Sequence, residues 1–130
     1  MCIRDRVAVA LIDLDHFKRI NDTLGHQQGD RVLVAVADSL VLSFAPDGTV
    51  VRWGGEEFLV ILTGQTRAAV RQHVDAALDA VRALHQGGLP VITISAGLAF
   101  SGETRDPVAL LDLADGRLYR AKAAGRDRVH

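Results

Sequence analysis

The sequence predicts an α+β domain: a mixed, mainly antiparallel central sheet covered by helices. Three observations carry this. Residues 7–12 (VAVALI) are apolar at every position, which fits a short strand buried on both faces. Residues 50–62 run apolar, Gly-Gly, apolar at hairpin spacing, and a hairpin disfavours a purely parallel sheet. Elsewhere, apolar residues recur at intervals of three and four, as one face of a helix requires.

The elements follow in order. The first strand ends on Asp13, so an acid sits at a strand end. Residues 17–24 form a short helical segment. After a break at residues 25–29, Leu33, Val36, Ala37, Leu40 and Phe44 mark an inward helix face. Pro46-Asp47-Gly48 is a turn before the hairpin. Residues 66–85 form an amphipathic helix closed by Gly87-Gly88. Residues 91–96 alternate as a half-buried strand that continues to Phe100, and Pro107 opens a last helix, with Val108, Leu111, Ala114, Leu118 and Ala121 inward. Residues 1–6 form a polar tail, or a truncation scar, ahead of a domain spanning residues 7–130.

At 130 residues the chain is of single-domain length. Its 15 basic and 16 acidic residues give a net charge of -1, too balanced for a general field that gathers nucleic acid or anionic lipid. Cys2 is the only cysteine, which excludes a disulfide framework and points to a reducing compartment, by default the cytoplasm. The longest apolar runs are six residues, against roughly 20 needed to span a bilayer, so no membrane contact is expected from this segment.

Several groups could carry chemistry. Asp13-Leu14-Asp15 sets two carboxylates on one face of a strand end, where they suit a hard cation such as Mg²⁺ or, equally, the start of a loop. Gly54-Gly55 tolerates positive φ and clears space for a ligand, with Glu56 beside it as a second metal ligand; a plain turn has the same composition. Lys122 and Arg126, four apart, fall on one helix face and could reach a triphosphate, or simply face solvent. Lys18 adds a cation, and Asn21 with Asp30 supplies the amide and carboxylate that a guanine edge requires. Loop capping by Asn21 and helix capping by Asp30 are the structural alternatives. His26 shares this ambiguity. There is no phosphate-loop glycine motif, nucleophile elbow or His-Glu-x-x-His pair, so nucleotide chemistry here calls for a carboxylate-held metal.

DLDHFKRIND (residues 13–22), LGHQQGD (24–30), RWGGEEF (52–58) and LYRAKAAGR (118–126), in this order, resemble the GGDEF domain of diguanylate cyclases, in its GGEEF form. The resemblance implies the palm-like fold of nucleotidyl cyclases and condensation of two GTP into cyclic di-GMP with release of pyrophosphate. By position, it implies that Asp13, the Leu14 carbonyl and Glu56 hold Mg²⁺, or Mn²⁺, and that Glu56 also helps to deprotonate the attacking 3′-hydroxyl. Asn21 and Asp30 would read guanine, with His26 nearby. Lys18, Lys122 and Arg126 would contact phosphates, and Gly54 and Gly55 would admit the nucleotide. It further implies a second copy of the domain as catalytic partner, and an upstream sensory domain in the parent protein. A non-catalytic GTP- or effector-binding module on the same fold is the alternative. Two departures stand out. The family's helix before the first strand is missing. Where product-inhibited members carry an Arg-x-x-Asp motif, Ala45 and Gly48 stand here.

Overall fold

The computed structural model describes residues 6–130, and the expected tail lies outside them except for Arg6. The Arg6 carbonyl accepts the Gly64 N–H at 2.9 Å. The elements are β1 (Val7–Leu14), α1 (Phe17–Leu24), α2 (His26–Phe44), β2 (Gly48–Arg52), β3 (Glu57–Thr63), α3 (Arg67–Arg82), a 3₁₀ turn (Ala83–Gly87), β4 (Ile94–Phe100) and α4 (Pro107–Ala123). The strand order is β2-β3-β1-β4, and every pairing between these strands is antiparallel. The parallel component expected of a mixed sheet is one bridge, Ala96 to Val129, where the chain end lies along β4.

β1 sits at the centre, so both its faces must be covered. Its even residues, Ala8, Ala10, Ile12 and Leu14, join the main core with α1, α2 and α3. Its odd residues Val9 and Leu11 pack with Leu59 and Ala99 against Leu110, Ala114 and Leu118 of α4. This two-residue period puts Asp13 on the α4 side. Val36, Leu40 and Phe44 on α2 are fully buried, each stabilising the fold by about 1.5–3 kcal/mol.

Several expectations are corrected. The break at residues 25–29 is only Gly25, whose φ of 88° ends α1; α2 starts at His26, so Asp30 is inside the helix and does not cap it. The residue 66–85 helix is α-helical only to Arg82 and tightens into the 3₁₀ turn before Gly88, at φ 93°. β4 starts at Ile94, not Val91, and is buried on both faces because α4 covers its second side. Gly97 permits that cover: a Cβ there would lie 2.0 Å from the Ala114 carbonyl and 2.3 Å from the Leu118 nitrogen. Val108, expected inward, is 66% exposed, because the buried stripe of α4 runs through Leu110, Ala114 and Leu118 and leaves Val108 on the outer side.

Candidate active site

β1 carries Asp13 to one end of the sheet, and antiparallel register sets Glu57 opposite it. One residue earlier, the Glu56 carbonyl accepts the Leu14 N–H at 3.3 Å, tying the hairpin tip to the strand end. From the other side Lys122 of α4 forms an ion pair with Asp13 Oδ2. Asp13 is 4% exposed, and its Oδ1 is buried without a hydrogen-bond partner. Burial pushes the Asp13 carboxyl above the ordinary carboxylate range, against the Lys122 hydrogen bond and charge, with the Asp15 charge adding to the rise. Burial, then the Asp13 charge, pushes Glu56 up as well. Asp13, Glu56 and Lys122, far apart in sequence, therefore form one electrostatic group.

The hairpin tip is held from within. Arg52 donates to the Gly54 carbonyl at 3.3 Å and to the Gly55 carbonyl at 2.6 Å, while the Trp53 N–H donates to the Glu57 carbonyl at 2.8 Å. Neither Gly54 nor Gly55 uses the positive φ that glycine tolerates. A Cβ on Gly55 would meet nothing within 4 Å, so what its absence provides is open space.

Asn21 lies on α1 with its carboxamide against Gly29 of α2. Asp30, one residue on, lines an open cleft of about 330 Å³ between α2 and the hairpin, together with Val50, Arg52 and Phe58. Lys18 and His26 are exposed, and no hydrogen bond or ion pair joins the side chain of either to another described residue. Arg126 is not on the helix face of Lys122: α4 ends at Ala123, and Arg126 lies beyond it at φ 64°.

The sequence profile of the family described as "Diguanylate cyclase, GGDEF domain" matches residues 2–128. The chain belongs to this family. It is 44% identical to diguanylate cyclase DgcP of Pseudomonas aeruginosa over 93% of its own length, but spans only 18% of that protein. The solved GGDEF domain of YfiN from P. aeruginosa superposes with a TM-score of 0.91 at 35% identity, covering 98% of this chain and 82% of that one. The GGDEF domain of DgcB from Caulobacter crescentus, solved in complex with c-di-GMP, gives 0.84 at 34% identity, covering 95% and 76%.

Within this GGDEF domain the two strand-end acids part company. Asp15 accepts hydrogen bonds from Thr93 Oγ1 at 2.7 Å, Ser95 Oγ at 2.6 Å and the Asp127 N–H at 3.0 Å, so it is not a second open carboxylate beside Asp13. In the sequence Glu57 is only the second of two acids at the hairpin tip, with no role of its own, and Arg52 has none. Hairpin register was the signal for Glu57, while the Arg52 contacts arise only when the turn closes. A hard divalent cation fits this donor set. Asp13 Oδ1 lacks any other partner, Glu56 is adjacent, and no lysine or histidine competes for that oxygen among the described residues. No group of three or more His, Cys, Asp or Glu side chains that could hold a metal forms among the described residues. Backbone and substrate oxygens would have to complete the shell, as hard cations allow.

Proposed function

We propose that this domain condenses two GTP molecules into cyclic di-GMP. The observation that carries the reading is the buried Asp13 carboxylate, with one oxygen unpartnered, between Glu56 and Lys122. Each 3′-hydroxyl attacks the α-phosphorus of the other GTP, forming a P–O bond as the bond to pyrophosphate breaks. A divalent cation, Mg²⁺ or Mn²⁺, held by Asp13, the Leu14 carbonyl and Glu56, supplies positive charge at the phosphates when bound.

Glu56, with its carboxyl pushed up by burial, is matched to accept the hydroxyl proton. Lys122 is already aimed at the site through Asp13 and can turn to the phosphates. Lys18 and Arg126 offer ammonium and guanidinium donors, respectively, from either flank to the departing pyrophosphate. Asn21 and Asp30 face the guanine, with His26 beside the nucleoside, and Gly55 leaves room for it. One domain holds one GTP, so catalysis requires two domains face to face.

No helix among the described residues is long and apolar enough to cross a membrane. We place the domain in the cytoplasm, or at the cytoplasmic face of a membrane-anchored parent protein whose upstream segment senses the signal. The test is incubation with GTP and Mg²⁺ followed by chromatography for cyclic di-GMP. Formation of product supports the reading; saturable GTP binding without product would assign a non-catalytic module.

A further inference from the structure

Asp15 is a buried acid that the chemistry above does not use. It is 4% exposed and both its carboxylate oxygens accept hydrogen bonds. One of its donors is a backbone N–H from the far end of the chain, at Asp127. That segment is unusual. Where a helix ends in the left-handed region, it commonly does so with a single residue, preferably glycine. Here Gly125, Arg126 and Asp127 follow one another at φ 124°, 64° and 50°.

Two of these are not glycine, and such conformations persist only where the surroundings over-determine them. The surroundings do so. The Arg126 N–H donates to the Ala121 carbonyl at 2.9 Å, and Arg82 donates to Asp127 Oδ1 at 2.7 Å. Beyond the turn, the Arg128 carbonyl accepts from Ala96 at 2.9 Å. Among the described residues, the Asp15 carboxylate is the hydrogen-bond partner that ties this turn to β1, two residues from Asp13.

We propose that Asp15 is a positioning residue that, by holding the Asp127 N–H, locks the left-handed turn and aims the Arg126 guanidinium at the triphosphate of GTP. The inference rests on the reading of Arg126 as a phosphate ligand. It assigns Asp15 no contact with substrate or metal. The carboxylate is satisfied by Thr93, Ser95 and Asp127, so its effect must pass through the turn.

Calorimetric titration of GTP and GMP tests it, on the unaltered chain and on Asp15→Ala, Asp15→Asn, Arg126→Ala and the Asp15→Ala/Arg126→Ala pair. Asp15→Ala is expected to weaken GTP binding about tenfold, the size of one charge-assisted hydrogen bond, and GMP less than about twofold. Asp15→Asn keeps an oxygen that can accept the Asp127 N–H and should recover most of the loss. In the Arg126→Ala background, Asp15→Ala should cost nothing more.

Additive losses would mean that Asp15 acts through Asp13 or general stability, and would overturn the proposal. Unchanged GTP binding by Asp15→Ala would do the same. If that variant does not fold, hydrogen exchange on the unaltered chain decides: the Asp127 amide should exchange slowly, and exchange as fast as at an exposed loop amide refutes the lock. If the unaltered chain binds GTP no better than GMP, the phosphate role of Arg126 fails. That outcome is separate from a failure at Asp15.

Discussion

The carboxamide of Asn21 occupies the space where a side chain on Gly29 would begin: a Cβ there would lie 1.8 Å from Asn21 Oδ1. The obstacle is the tip of a movable side chain, so a methyl at residue 29 displaces Asn21 rather than the helices. Gly29→Ala should therefore leave the melting temperature unchanged or raised, since Ala is favoured over Gly inside a helix by about 1 kcal/mol. GTP affinity should fall about tenfold as the guanine-reading amide is turned away, shrinking the preference for GTP over ATP. Titrating both nucleotides into the variant checks this, and unaltered discrimination would remove Asn21 from guanine selection.

Glu56→Gln keeps the shape of the hairpin tip and removes its base. Cyclic di-GMP formation should drop at least about a hundredfold, in line with the loss of a general base, while thermal unfolding stays within a few degrees. Appreciable turnover in the variant would take Glu56 out of the mechanism.

Gly97→Ala presses a methyl into the backbone of α4, at 2.0 Å from the Ala114 carbonyl. No rotamer relieves a contact with main chain. The helix must lift, at about 1–3 kcal/mol of stability, and Lys122 moves away from Asp13 with it. Denaturant unfolding measures the first effect. A stability equal to that of the unaltered chain would show that α4 does not ride on β4 this closely.

Glu103 is held by Arg117 through paired contacts of 2.6 and 2.7 Å, and the Arg117 hydrogen bond lowers its carboxyl to about 2. A carboxyl lowered on folding contributes its stability fully above the unfolded value near 4.5 and loses it as pH falls toward 2. Glu103→Gln should thus destabilise at pH 7 by less than about 1 kcal/mol, given partial exposure, and converge with the unaltered chain near pH 2. Melting curves across that interval are the measurement. A gap that does not close on acidification would assign the effect to packing.

Cyclic di-GMP should not inhibit through residues 45–48. Gly48 has no room for an acid, since a Cβ would meet Phe44 Cβ at 2.7 Å and the Phe44 carbonyl at 2.9 Å. No arginine lies between Arg31 and Arg52 to grip a phosphate from this segment. Calorimetry with GTP-free protein is the check: saturable binding abolished by replacing residues 45–48 would contradict the prediction.

The sequence by itself determined the elements whose signals are local. The apolar run of β1, the two-glycine hairpin and the 3.6-residue faces of α2, α3 and α4 each report burial along a single segment, and four ordered motifs named the family. What only the tertiary structure decided depends on contacts between segments distant along the chain. Asp13 and Asp15 look equivalent as a strand-end pair, but Thr93, Ser95 and Asp127 close round one, while the other keeps a buried oxygen without a hydrogen-bond partner. Lys122 and Arg126 look like one helix face, but α4 stops between them, and Arg126 lies in a left-handed turn whose next residue, Asp127, is held by Asp15 and Arg82. By alternation Val91 belongs to a half-buried strand, but it lies 73% exposed outside β4, because β4 begins only where β1 offers partners from Leu14 onward. Periodicity records which side of an element is apolar. Which polar atom is satisfied, and by what, is fixed only when the elements meet.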